Sequence, residues 1–188
     1  PEFVATNQDS IKSSFTPVFI VGMPRSGSTL LEQMLCQHES VASLGENDVF
    51  SRKLIAYLSQ VSDSTFPQCM THTNKDMRTQ LRQLYAHEVA KNKLSNAYII
   101  NKLPANFQNI GAIKTLFPNA LFIDMRRSFY PMAWSVFTHY FGANEAFFCD
   151  MDALMACYGG YDRLLQYWRN TQSDSIITLH YEQLVEAP

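Results

Sequence analysis

The segment Gly22-Met23-Pro24-Arg25-Ser26-Gly27-Ser28-Thr29 carries the clearest chemistry in the chain. It follows an apolar run and opens a helical pattern, which is the context a phosphate-binding loop needs. Its glycines let the backbone turn N–H groups inward, Ser26, Ser28 and Thr29 add hydroxyls, and the helix that runs on through Leu30 presents its positive end to an oxyanion. The register is close to that of a triphosphate-binding loop, with one break. Where that pattern has Lys after the second Gly, this chain has Ser28, and the cation has moved to Arg25. Gly- and Ser-rich turns join many strands to helices without binding anything. Arg25 sets this turn apart: a guanidinium among small residues has little packing use, and its planar fork suits a tetrahedral oxyanion.

Three other places hold groups of the right type. Met125-Arg126-Arg127 ends an apolar run, and eight residues after Arg127 comes Ser135; Arg127 and Ser135 together suit a second phosphate. Glu46 follows Gly45 after the first helical pattern, and Lys102 ends the run Ala97-Tyr98-Ile99-Ile100-Asn101. A carboxylate at a helix start or a cation at a strand end is by itself an ordinary surface feature. What raises them is their number and their shared position at the ends of predicted strands.

The elements that must position these groups alternate. Apolar runs at residues 17–22, 97–100, 120–123 and 175–179, with a short extended segment at 41–43, lack polar alternation and read as strands covered on both faces. Helical patterns fall near 29–37, 48–60, 75–91, 107–117, 131–141 and 151–169, with Pro118-Asn119 and Gly142 as stops. The sum is an α/β fold, a parallel sheet between two layers of helices, of P-loop-type nucleotide-binding architecture, with ligands beyond the carboxyl ends of the strands. Residues 1–14 read as a linker or terminal extension and 15–188 as one domain. Residues 62–74, rich in Ser, Thr, Asp and His, read as a solvated surface connection near the ligand rim. The aromatic residues at 130–140, among them Trp134 and Phe137, read as a helix face packed on the core.

Composition narrows the partners. The 188 residues are 46% hydrophobic and carry a formal charge of −2, so no global field favours nucleic acid, and any anion site is built locally. No apolar run approaches the length of a membrane-spanning helix. The four cysteines, Cys36, Cys69, Cys149 and Cys157, lack paired metal-ligand spacing and read as reduced, buried thiols.

With these residues in view, the chain from about Pro17 onward resembles the sulfotransferases that use 3′-phosphoadenosine 5′-phosphosulfate, in particular the tyrosylprotein sulfotransferases and their bacterial relatives that follow tetratricopeptide repeats. The family's 5′-phosphosulfate loop is similar to residues 24–30, and its Arg and Ser for the 3′-phosphate fall on Arg127 and Ser135. The Gly-Glu segment that supplies its catalytic base matches Gly45-Glu46, and the Lys-x-Pro segment that supplies its catalytic lysine matches Lys102-Leu103-Pro104. Its Tyr-Glu-x-Leu-Val stretch matches Tyr181-Glu182-Gln183-Leu184-Val185, which implies Tyr181 beside the nucleotide. The resemblance implies a sulfuryl transfer without a metal, in which Glu46 takes the acceptor proton while Lys102 and Arg25 stabilise developing charge. The acceptor is a hydroxyl of protein tyrosine, carbohydrate or a small molecule. Two departures stand out: His139 replaces a further cofactor-binding Arg, and the family continues beyond the Tyr-Glu stretch to a catalytic Ser, so 15–188 is expected to lack a C-terminal portion.

Two rival readings remain. A P-loop kinase or NTPase would use Asp124 as its metal-binding carboxylate, and a binding module would keep the nucleotide without catalysis.

Overall fold

The computed structural model of the chain describes residues 15–138 and 150–187. Five strands, β1 (Thr16–Gly22), β2 (Val41–Ser43), β3 (Tyr98–Lys102), β4 (Leu121–Arg126) and β5 (Ile176–His180), form one sheet in the order β2-β3-β1-β4-β5, every neighbour parallel. The strand that feeds the Arg25 loop is central, and burial falls away from it: six of the seven β1 residues are buried, whereas β2 and β5 at the edges are half-covered.

Alternation along the central strands sends side chains to opposite faces. On one face Val18, Ile20, Ile100, Ile123 and Met125 pack against Leu31 of α1 (Ser28–Leu35) and Leu184 of α7 (Tyr181–Glu186). On the other, Phe19, Val21, Ile99 and Phe122 meet the larger core, supplied by α2 (Ala56–Ser62), α3 (Lys75–Lys91), α4 (Ile110–Leu116), α5 (Phe129–Phe137) and α6 (Met151–Thr171). Phe19 stacks on Phe122 with centroids 5.6 Å apart, tying β1 to β4 through the middle of that core. The result is the expected three-layer α/β arrangement.

Helix ends follow local chemistry. Asn74 caps α3, accepting from Met77 N–H at 2.9 Å, and Asp150 caps α6 through the N–H groups of Asp152 and Ala153. The predicted 48–60 helix begins as a π-helical segment, Val49–Ile55, that runs into α2, and the predicted 107–117 helix begins as a 3-10 segment, Pro104–Asn109. α5 starts at Phe129, two residues earlier than predicted, because Pro131 in a first turn gives up no needed N–H. The expectations for residues 1–14, His139, Gly142 and Cys149 lie outside the described residues.

Two readings are corrected. Residues 62–74 are not merely a solvated connection: they contain a 3-10 segment, Gln68–His72, that buries Cys69 and Met70 in the larger core. The aromatic residues of α5 do not pack inward as a face. Met132, Ala133 and Val136 take the core side, leaving Tyr130 and Trp134 81% and 73% exposed, with Phe137 on the same side. An apolar run with candidates on both sides of a helix can bury only one of them. Of the described cysteines, Cys69 is fully buried while Cys36 and Cys157 are partly so, all as free thiols.

Candidate functional site

β1 ends at Gly22, where a side chain would lie 2.5 Å from the Met125 carbonyl oxygen; only Gly lets the loop leave so close to β4. The chain then turns with Arg25 at φ +63°, a conformation a non-Gly residue adopts at a cost, and Gly27 at φ +98°. Strain in a residue whose charged group is exposed at a strand end is a mark of a working loop. α1 begins directly after Gly27 with no side-chain cap and no acidic residue in its first turn, so its leading N–H groups stay available to a ligand.

The loop borders a cavity of about 480 Å³. Pro24, Arg25, Gly27, Ser28 and Thr29 of the loop and helix start line it together with Glu46, Leu103, Pro104, Ala105, Arg127 and Tyr181. Ser26 stands behind the wall, almost fully buried, with its Oγ unpartnered; Leu30 is exposed and does not line the cavity.

Arg25, Arg127, Ser135 and Tyr181 interlock at one end. Arg25 Nε donates to Ser135 Oγ at 2.9 Å, which connects the loop to α5 across 110 residues of sequence. An Arg127 amine nitrogen donates to the Arg25 carbonyl at 3.2 Å, and the Arg127 guanidinium lies over the Tyr181 ring, 4.5 Å from its centroid. Arg127 Nε is buried and unpartnered. Tyr181 in turn presses on the loop: a Cβ on Gly27 would lie 2.5 Å from Tyr181 Cδ2. Glu182 anchors the start of α7 by accepting from Ser128 N–H at 3.0 Å, and that hydrogen bond holds its carboxyl below the usual range.

Glu46 and Lys102 meet at the other end because β2 and β3 continue in register past the sheet. Leu44 N–H donates to Ile100 O at 2.8 Å and Lys102 N–H to Gly45 O at 3.0 Å, so Glu46 comes directly past Lys102. Gly45 at φ +64° makes that turn. Lys102 Nζ donates to Glu46 Oε1 at 2.5 Å. Lys102 is buried, with 6% of its side chain exposed, whereas the Glu46 side chain is 64% exposed toward the cavity.

Sequence reasoning missed the supports of this pair. Glu32, on α1, lies 3.7 Å from Lys102 Nζ and accepts from the Ser43 hydroxyl; Ser43 Oγ also accepts from Gly45 N–H at 2.9 Å. Asn101 donates to the Asn47 carbonyl at 2.9 Å and accepts from Asn106, which accepts from Asn109, bracing the Glu46 turn from below. The one available signal was a lone carboxylate in the apolar stretch Leu30-Leu31-Glu32-Gln33-Met34-Leu35.

Asp124 is elsewhere. It is fully buried on β4 and does not line the cavity; Tyr161 Oη donates to it, as do Arg126 Nε at 2.9 Å and Arg169 at 3.4 Å. Burial, then the Asp124 charge, push the Tyr161 hydroxyl pKa up, which keeps it a donor. A carboxylate so committed does not serve as the metal ligand of an NTPase. Among the described residues no group of three or more His, Cys, Asp and Glu comes together to hold a metal, and no helix is long and apolar enough to cross a membrane.

A family model described as "Sulfotransferase family" matches residues 17–188. A protein-tyrosine sulfotransferase of Drosophila melanogaster and protein-tyrosine sulfotransferase 1 of Danio rerio are each 26% identical over 178 residues, covering 91% of this chain and 35% and 49% of theirs. An uncharacterized protein of Aquifex aeolicus is 28% identical over the whole chain, which covers 26% of that protein. The chain thus spans about a quarter to a half of these relatives. The crystal structure of sulfotransferase STF9 from Mycobacterium avium shares the fold, with a TM-score of 0.57 at 14% identity over 94% of this chain and 62% of that one.

Proposed function

The chain belongs to the sulfotransferase family, and on that premise we propose that its cavity takes 3′-phosphoadenosine 5′-phosphosulfate and directs the sulfuryl group to an acceptor hydroxyl. The observation that carries the reading is Glu46, which lines the same cavity as the Arg25 loop and is paired there with the buried Lys102, a proton acceptor and a cation beside an anion cradle.

The residues fit such a donor. The uncapped N-terminus of α1, the orphaned Ser26 hydroxyl and the unpartnered Arg127 Nε are all hydrogen-bond donors left over, and a polyanion satisfies donors. Arg25, Ser26, Gly27, Ser28, Thr29 and Leu30 would hold the 5′ end, and Arg127 with Ser135 the 3′-phosphate, with Tyr181 at the side. When bound, the nucleotide supplies an activated sulfuryl group: the acceptor oxygen forms the new O–S bond as the S–O bond to the 5′-phosphate breaks, and adenosine 3′,5′-bisphosphate leaves. Glu46 accepts the acceptor's proton and thereby loses the charge it offers Lys102. Lys102 sets its ammonium against the charge that builds on the leaving oxygen, and Arg25 with the α1 amides faces the sulfuryl oxygens. The acceptor is a protein tyrosine, a carbohydrate or a small-molecule hydroxyl; the two protein-tyrosine sulfotransferases among the relatives favour the tyrosyl case.

Calorimetry separates this from the alternatives. Adenosine 3′,5′-bisphosphate should bind without metal and more tightly than Mg-ATP; the reverse order would refute the reading and revive an NTPase. Transfer of radiolabelled sulfate from 3′-phosphoadenosine 5′-phosphosulfate to a phenol, tyrosyl-peptide and sugar panel by the full-length protein then tests catalysis. Binding without transfer across that panel would leave a nucleotide-binding module.

A further inference from the structure

Lys102 stands between two carboxylates of different character. Glu46 Oε1, at 2.5 Å, belongs to an exposed side chain on a turn; Glu32 Oε2, at 3.7 Å, belongs to a side chain only 13% exposed on α1, the helix that the anion loop opens. Ser43 pins Glu32 by donating to its other oxygen, and the same Ser43 oxygen accepts from Gly45 N–H, in the turn that presents Glu46. One hydroxyl therefore ties together the helix of the loop, the edge strand and the base-bearing turn.

Sulfuryl transfer places a demand on this ion pair. Once Glu46 has taken the acceptor's proton it no longer offers the ammonium a charge. An ammonium with 6% of its side chain exposed is poorly hydrated, and without a counter-charge it would retreat from the site. Glu32 meets that demand: it is partly buried and held, and it faces Lys102 without lining the cavity.

We propose that Glu32 is a positioning residue that supplies the standing counter-charge for Lys102, holding its ammonium in the site whenever Glu46 lets go. The inference rests on the sulfuryl-transfer reading for its purpose, but not for its test. Glu32 acts through Lys102 and touches no substrate; Ser43 keeps it aimed.

The first measurement is of the Lys102 ammonium itself, by nitrogen-15 lysine NMR of the full-length protein at neutral pH, the signal assigned by its loss in Lys102→Ala. An ammonium held by an ion pair exchanges slowly with water and stays visible. The signal should survive Glu46→Gln and vanish when Glu32→Gln is added. Its loss in Glu46→Gln alone, or its survival in the double variant, overturns the inference whether or not the protein transfers sulfate. The second is kinetic. Glu32→Gln should lower kcat about tenfold while the dissociation constant for adenosine 3′,5′-bisphosphate stays within about twofold, and it should cost nothing further in a Lys102→Ala background. An equal loss in both backgrounds refutes action through Lys102. A wild type that never transfers sulfate refutes the sulfuryl-transfer reading and leaves the NMR result to decide the counter-charge.

Discussion

Replacing Gly27 by Ala tests the geometry on which the anion loop depends. Gly27 sits at φ +98°, where an L side chain is strained by about 1–2 kcal/mol. The added Cβ would lie 2.5 Å from Tyr181 Cδ2 and 3.2 Å from Cε2, whereas carbon atoms rest at about 3.5–4.0 Å, so the ring must retreat by about 1 Å. It is not free to do so. Its ring carries the Arg127 guanidinium, a contact worth about 0.5–1 kcal/mol in a partly exposed setting, and overpacking of this kind costs about 1–3 kcal/mol. Backbone strain and displaced ring together give about 2–5 kcal/mol. Urea unfolding of the wild type, Gly27→Ala, Tyr181→Ala and the double variant apportions the cost. With the ring gone, Gly27→Ala should cost its backbone strain, about 1–2 kcal/mol, together with a small shift of the flexible Met125 methyl, whose Cε lies 3.1 Å from the added Cβ. An equal cost in both backgrounds would show that Tyr181 is not what the missing Cβ makes room for. The folded fraction of Gly27→Ala should also bind adenosine 3′,5′-bisphosphate more than tenfold more weakly, because the displaced ring carries Arg127 with it.

The remaining predictions concern charges. Glu46→Gln and Lys102→Ala should each lower kcat at least tenfold, about 1.4 kcal/mol of transition-state stabilisation, with nucleotide affinity far less affected; transfer unchanged by Glu46→Gln would remove it as the base. Asp124→Asn should destabilise the fold by about 3–5 kcal/mol in denaturant titration, since it leaves Arg126 and Arg169 facing a neutral group in a buried site, yet metal-free bisphosphate affinity should hold. Glu182 has a folded pKa below its unfolded one, so its stabilising bond to Ser128 is fully present above the unfolded carboxyl range and lost as pH falls through the folded value. The stability gap between wild type and Glu182→Gln should therefore be open above the ordinary carboxylate range and close as pH falls below it, by chemical denaturation across that range.

Which of these features the sequence disclosed depended on how local their cause is. The strands were legible because a parallel sheet covered on both faces writes continuous apolar runs, and α3 was legible at both ends because Asn74 caps it and its apolar positions recur at helical spacing. The π-helical start before α2 was not, since no short pattern distinguishes one extra residue per turn. α5 misled for the opposite reason: with Phe129, Tyr130, Met132, Ala133, Trp134, Val136 and Phe137 nearly all apolar, periodicity cannot say which side meets the core. In the site, the loop was legible because Gly, Arg and Ser at fixed offsets have a mechanism. Glu32 was not, because its proximity to Lys102 depends on α1 lying against the sheet face that β3 helps to form, a fact of packing rather than of any segment.

The placement of Lys102 also explains how this loop dispenses with its own lysine. In the sheet Lys102 lies opposite Ile20, two residues before Gly22, so its ammonium comes to the site from the neighbouring strand, beside Glu46 on the turn after β2 and Glu32 of α1. A lysine at position 28 would ride on the helix and stay with the phosphates it cradles. A lysine on β3 is coupled to Glu46 instead, so the proposed base and the proposed cation are held together by one ion pair. The other flank of β1 is arranged differently: Asp124, opposite Val21, turns its carboxylate into Tyr161, Arg126 and Arg169, and β4 delivers only Arg127 to the cavity. The strand that would supply a metal ligand in a triphosphate site thus contributes a cation here. A site lined by arginine, hydroxyls and free amides, with its single lysine tied to its facing carboxylate, is built to take a ligand that brings its own negative charge.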